Sequence, residues 1–296
     1  MARPLAHGQT NPPGNYQAES KPPLSEAKAY YASGVSHSQK REWDKAISDL
    51  SEAARLNPQD PLAYWYRGAA YLNKGDLDKA SKDFDQVIRL DPTNAVALFN
   101  RGSMRRGKGE PGQAIKDLSE CLRLDPKNAL AYKARAECYA GKIEFDKAIS
   151  DWSQALMLRP NDGTALALRG FAHSRRGRFA QAVGDFTTAI RLDPTNGLPY
   201  NTLAWLRATC AVASMRNGKE AVEAATKACE LSRWTRWEWV DTLAAAYAEA
   251  GDFSHAVQYQ WQAMQMPGVT DYDRSIMKPR LALYRQKRPY HEDPNQ

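Results

Sequence analysis

Leu56-Asn57-Pro58, Leu90-Asp91-Pro92, Leu124-Asp125-Pro126, Leu158-Arg159-Pro160 and Leu192-Asp193-Pro194 form a series of Leu-x-Pro tripeptides 34 residues apart. A self-similarity of that period marks an array of helical hairpins, each too small to bury its own apolar face and dependent on its neighbours. Set in register from Ala27, five complete units run 27–60, 61–94, 95–128, 129–162 and 163–196. Their eighth position reads Gly34, Gly68, Gly102, Ala136 and Gly170, and their twentieth reads Ala46, Ala80, Ala114, Ala148 and Ala182. Small residues recur where two helices approach closely.

In the second unit, Tyr64, Gly68 and Tyr71 are spaced i, i+4, i+7. Ala80, Phe84, Val87 and Ile88 follow i, i+4, i+7, i+8. Both are one-sided helical stripes, so each unit is two amphipathic helices. Gly75, Gly109 and Gly177 supply positive φ after the first helix, and Pro111 suits the first turn of a second helix. Arg41 and Ile143 hold that glycine position in the first and fourth units, which predicts different turns there. The closing proline, lacking an N–H, ends each second helix.

These features identify the chain as similar to the tetratricopeptide repeat proteins, a family of 34-residue helix-turn-helix units. The match is close over 27–196 and looser beyond. Ala221 and Ala256 continue the twentieth position, but the step from Ala182 to Ala221 carries five surplus residues, placed in 208–218, which implies a longer turn or a helix extension. A further unit fits 237–268, and Tyr272 to Gln286 predicts a final helix covering the last apolar face. Leu203-Ala204-Trp205-Leu206 and the stretch from Asp241 to Phe253 resemble the end of large bacterial repeat proteins. The expectation is an all-α, right-handed α-solenoid of about seven helix pairs plus a C-terminal capping helix. Its organisation reads as a Pro-rich disordered tail over 1–25, a solenoid over 26–268 with divergent units in 197–268, and a capping helix with a basic tail over 269–296.

The composition agrees with a globular, soluble protein: 43% of 296 residues are hydrophobic, and no apolar run reaches the length of a membrane span. The first residues lack the apolar core of a secretory signal, so a cytoplasmic location is expected. Cys121, Cys138, Cys210 and Cys229 show neither C-x-x-C pairing nor metal-ligand spacing, and Cys121 and Cys138, standing where other units carry Ala, Val or Met, read as core fillers. Gly107-Lys108-Gly109-Glu110-Pro111-Gly112 spells a dinucleotide-binding pattern but joins two helices, without the preceding strand such a site needs. The histidines are scattered, and His37 and His173 stand where other units carry Tyr. No enzymatic activity, cofactor or metal is expected.

Arg67, Arg101, Arg135 and Arg169 recur at the seventh position, and Asp49, Asp83, Asp117, Asp151 and Asp185 at the twenty-third. Two ladders in one register predict partly buried Arg–carboxylate pairs rather than a phosphate-binding row. Pairing within units leaves Asp49 over; pairing across units leaves Asp185. Trp234, Trp237 and Trp239 beside Arg233 and Arg236 fit either inter-helix packing or a stacking surface.

In the family, first helices carry the ligand-contacting positions. Carried onto this chain, those positions include Tyr31, Trp65, Tyr66, Phe99, Asn100, Arg106, Lys133, Phe171, Arg175 and Trp205. The resulting concave face is aromatic with basic edges, the composition of interface anchors. The Lys and Asn clamp with which chaperone-binding relatives hold a C-terminal carboxylate is absent: Tyr31 with Val35, Trp65 with Ala69, and Lys133 with Glu137 stand at its positions. The net charge of +7 gathers in the inter-helix turns, at Lys40, Arg41, Lys74, Arg106, Lys108, Lys142, Arg175, Arg176 and Arg178, opposed by Glu42, Asp76, Glu110 and Glu144. That rim either attracts an acidic partner or serves as a solvated edge. The leading expectation is a non-catalytic scaffold gripping a peptide or protein segment. Alternatives are RNA or other polyanion binding by the rim, although mixed charges and the absence of a base-reading pattern make nucleic acid the weaker partner, and an accessory module of a separate enzyme.

Overall fold

The computed structural model describes residues 24–292. The Pro-rich stretch expected as a tail lies outside the described residues except for Leu24 and Ser25, which open the first helix, and the last four residues also lie outside. Among the described residues there are fifteen α-helices and no strand.

The helices follow one another as hairpins. The first five pairs are α1 (Leu24–Gln39) with α2 (Trp43–Leu56), α3 (Pro61–Asn73) with α4 (Leu77–Leu90), α5 (Ala95–Gly107) with α6 (Pro111–Leu124), α7 (Ala129–Gly141) with α8 (Phe145–Leu158), and α9 (Gly163–Arg175) with α10 (Phe179–Leu192). Two more follow, α11 (Gly197–Thr209) with α12 (Gly218–Leu231) and α13 (Trp237–Glu249) with α14 (Phe253–Gln265), and then α15 (Asp271–Arg285). The chain forms two compact units, one ending at Ala97 and the other beginning at Leu98.

Each second helix stops on the Leu that precedes the x-Pro step. The next first helix begins at the residue directly after a short polar cap, whose side-chain oxygen accepts a backbone N–H of the first turn. Asp60 accepts from Leu62, Asn94 from Ala97, Asn128 from Ala131, Asp162 from Ala165 and Asn196 from Leu198, all at 2.9–3.0 Å. Each such cap contributes about 1 kcal/mol, so the last position of every repeat fixes where the following one starts.

The inter-helix turns are built alike. In the five regular units the N–H of Glu42, Asp76, Glu110, Glu144 and Arg178 donates to the carbonyl five residues back, each at 2.9 Å. That bond defines a Schellman ending and requires a left-handed residue just before the donor. Gly75, Gly109 and Gly177 supply it with φ of 81°, 76° and 69°. The expectation that the first and fourth turns would differ is overturned: Arg41 (φ 60°) and Ile143 (φ 62°) adopt the same conformation without glycine's freedom. Packing of the flanking helices fixes the turn, and the side chain accepts the strain. Ile143, β-branched and 76% exposed, gains little burial in return.

Inside each pair the small residues meet. Ala46, Ala80, Ala114, Ala148 and Ala182 are completely buried. At Gly170 an added Cβ would lie 2.7 Å from the Phe186 ring, so the close approach of α9 to α10 depends on the missing side chain.

The expected surplus after the fifth unit appears as an irregular connection between α11 and α12, containing one 3-10 turn at Ala213–Met215. Arg207 and Arg216 pin it. The first donates to the Met215 carbonyl at 2.9 Å, and the second donates to the Cys210 carbonyl at 2.8 Å while pairing with Glu249 at 3.0 Å. Beyond it, the alanine-rich α13 is buried on most of its surface, and Met277, Leu281 and Tyr284 of α15 complete that core.

Candidate binding site

The two charge ladders pair within units. Arg67 meets Asp83, Arg101 meets Asp117, Arg135 meets Asp151 and Arg169 meets Asp185, each through Nε and Nη2 to the two carboxylate oxygens at 2.6–2.9 Å. All four aspartates are buried, so these forked bonds offset the cost of removing charge from water. Hydrogen bonding to Asp151 holds the Arg135 guanidinium above its ordinary value against the opposing effect of burial. Asp49, left over as one of the two registers required, accepts instead from Ser33, the residue at the seventh position of its own unit, at 2.6 Å.

The third guanidinium nitrogen reaches backward. Nη1 of Arg67, Arg135 and Arg169 donates to Ser51, Ser119 and Ser153 of the preceding hairpin at 3.0–3.1 Å. One side chain thus braces its own helix pair and ties it to the one before. This polar spine leaves no phosphate-binding row.

Many rim cations are matched by acids. Lys74 pairs with Asp44 and Arg106 with Glu137; Lys142 pairs with Glu144 at 3.0 Å, and Arg176 and Arg178 share Asp146 at 2.9 Å. Lys133 is similarly engaged, with Nζ 2.9 Å from Asp162, the cap of α9. Burial opposes ionisation of that carboxyl, but the bonds from Lys133 and from the Ala165 N–H prevail and hold it below its usual range.

The family-derived positions separate into two groups. In the first unit, Tyr31, Trp65 and Tyr66 form an edge-to-face aromatic cluster, Tyr66 lying 5.7 Å from Tyr31 and 4.8 Å from Trp65. In the second, Phe99 and Asn100 are half-buried on α5, Arg106 and Lys133 are held by carboxylates, and Phe171, Arg175 and Trp205 come together on a cleft of about 320 Å³.

That cleft is walled by α9, α10, α11, α13 and α15. Phe171, Phe179, Trp205, Trp237 and Ile276 make it apolar, while Arg175, Asn201, Asp241 and Arg280 supply polar atoms. Arg175 is exposed at the rim and makes no ion pair among the described residues. Arg280 is buried, pairs with Asp241 at 3.0 Å and lies over the Trp205 ring at 5.2 Å. Gln260 completes the group by donating to Asp241 at 2.7 Å. Burial raises the Asp241 carboxyl, with Arg280 and Gln260 opposing. Within the lining, Asn201 Oδ1 and Arg280 Nε are buried without a hydrogen-bond partner, a state uncommon in settled interiors.

Sequence reasoning missed Arg280, Ile276 and Glu292 as members of this site. The available signal was a charge inside the apolar stripe Met277, Leu281, Tyr284 of α15, where Arg280 stands at i+3 from Met277. The three tryptophans of the cluster go to three different places. Trp239 packs on Gly197 so closely that a Cβ there would lie 2.4 Å from its ring, Trp237 lines the cleft, and Trp234 stacks on Tyr259 at 6.0 Å on the surface.

Burial pushes the Cys121 thiol up to about 11 and the Cys229 thiol to about 12, away from the nucleophilic thiolate. Among the described residues no group of three or more His, Cys, Asp or Glu is placed to hold a metal. The Gly107–Gly112 stretch is the α5–α6 turn. No described helix is long and apolar enough to cross a membrane.

A tetratricopeptide repeat model matches residues 31–95 and 99–163, and a second tetratricopeptide repeat model matches 163–196, together more than half of the chain. The chain belongs to the tetratricopeptide repeat family. Solved structures with the same fold include the MamA protein, at 24% identity and a TM-score of 0.55 over 58% of this chain and 93% of that one. MamA residues 41 to the end from Desulfovibrio magneticus RS-1 match at 25% identity and 0.54, over 58% and 97%. YrrB, described as a TPR protein with an unusual peptide-binding site, matches at 20% identity and 0.56, over 60% and 91%. No curated protein sequence matches the chain.

Proposed function

We propose that this protein is a non-catalytic scaffold that binds a peptide or protein segment on the faces of its first helices, with the α9–α11–α13–α15 cleft as the principal site. The observation that carries this reading is the convergence of Phe171, Arg175 and Trp205 on one recess. They belong to the positions at which the family contacts ligands, and they combine aromatic area with an unpaired cation. Rigid aromatics desolvate well at little entropic cost, and a free guanidinium at the rim selects carboxylates and speeds their approach. The Tyr31–Trp65–Tyr66 cluster of the first unit offers a separate aromatic surface.

A peptide-display selection on the full chain tests this. Enriched peptides should lose at least about tenfold in affinity to Trp205→Phe combined with Arg175→Gln, since each removes a contact of about 1 kcal/mol or more. Retained affinity in a variant of unchanged helicity would move the site elsewhere, and absence of any enriched peptide would overturn the reading.

A further inference from the structure

After α15 the chain turns through Lys287, at φ 55°, and runs without helix or strand from Arg288 to Glu292. This short stretch is seated on the cleft. The Trp205 indole N–H donates to Glu292 Oε1 at 2.8 Å, and the Glu292 N–H donates to the Thr209 carbonyl at 2.8 Å. The Tyr290 ring lies 6.2 Å from Trp205, and Arg280 sits over it at 5.6 Å. His291, pointing to the other side, bonds Glu249 at 2.7 Å.

We propose that residues 289–292 are a resident pseudo-ligand of the cleft, and that the segments it takes from partners carry an aromatic side chain two residues before a carboxylate, as Tyr290 and Glu292 do. The proposal rests on the cleft being the peptide site. Tyr290 meets a ring and a buried cation, and Glu292 takes the indole hydrogen bond, so one extended stretch reads both the apolar and the polar character of the wall. The seat rests on backbone without helix or strand and is held to the wall by side-chain contacts and a single backbone hydrogen bond, from Glu292 to Thr209, so it can open without unfolding a helix. It leaves Arg175 unpaired and Asn201 Oδ1 unsatisfied. A longer segment with a further acid can pair with Arg175 and, through a backbone N–H, donate to Asn201 Oδ1, and would compete on favourable terms.

The test uses the full chain and a fluorescein-labelled, C-terminally amidated peptide of sequence Lys-Arg-Pro-Tyr-His-Glu, followed by fluorescence anisotropy. Tyr290→Ala with Glu292→Ala, which empties the seat, should bind the peptide at least about tenfold more tightly than the unmodified chain, since the resident contacts no longer compete. Glu292→Gln, which changes one charge only, should give an intermediate gain. Adding Trp205→Phe should abolish the gain, and a peptide with Ala for its Tyr and Glu should not bind. Equal affinity for the unmodified and emptied chains, or no binding to either, overturns the proposal. If display-selected peptides still depend on Trp205 and Arg175 in that case, the cleft remains the peptide site and only the resident role is lost. If they do not, the site itself is lost.

Discussion

Ile143 holds the same left-handed turn position as Gly109, one repeat earlier, with φ of 62° against 76°. The hydrogen bond that closes both turns is identical in length, 2.9 Å from Glu144 to the Tyr139 carbonyl and from Glu110 to the Arg105 carbonyl. A β-branched residue therefore sits in a conformation that costs an ordinary residue about 1–2 kcal/mol. Replacing Ile143 by Gly should stabilise the protein by about 0.5–1 kcal/mol, the relief being reduced by glycine's larger entropy in the unfolded chain. Chemical denaturation of the two proteins checks the sign, and a lower midpoint for Ile143→Gly would contradict it.

Arg135 joins Asp151, at 2.7 and 2.8 Å, to Ser119, at 3.0 Å. Arg135→Ala leaves a buried carboxylate without its cation and should cost roughly 3 kcal/mol. Ser119→Ala removes one neutral acceptor and should cost about 1 kcal/mol. In a double-mutant cycle the two effects should be less than additive, because the serine bond is already gone once the arginine is removed. Full additivity would mean that the spine does not couple neighbouring hairpins.

Lys133 and Asp162 predict an acid-dependent contribution. The Asp162 carboxyl titrates below its ordinary value in the folded chain, so its stabilising effect is present above about pH 4, the unfolded value, and fades as pH falls through the lower folded value. Lys133→Ala should therefore destabilise by about 1 kcal/mol at pH 7. The difference from the unmodified protein should shrink toward zero once pH has fallen through the lowered folded-state value, where Asp162 is protonated in both states. A penalty independent of pH would assign Lys133 a packing role instead.

The repeat, its helix pairs and the presence of buried Arg–Asp pairs were legible because a 34-residue period writes the same environment five times, so each position could be read against its counterparts. What periodicity leaves unmarked was harder. The Arg–Asp register was open because a ladder repeats equally well within and between units; only coordinates distinguish Asp83 from Asp49 as the partner of Arg67. The turns at Arg41 and Ile143 were misjudged because local preference was weighed without the packing that overrides it. The cleft was half visible: Phe171, Arg175 and Trp205 occupy repeat positions, whereas Ile276, Arg280 and Glu292 come from the end of the chain, where no repeat frames them. Lys133 and Arg106 stand on the family's contact positions, but each is held by a distant acid, Asp162 at the end of the same unit for Lys133 and Glu137 of the next unit for Arg106.

The backward reach of Arg67, Arg135 and Arg169 has a genealogical consequence. Each arginine bonds an aspartate sixteen residues ahead and a serine sixteen behind. A module copied in tandem arrives already carrying both ends of the latch, so duplication or loss of one whole period restores every clasp without a new substitution. Growth by copying is thus chemically cheap in the regular units, whereas the region after Asn196, which departs from that spacing, must keep its length.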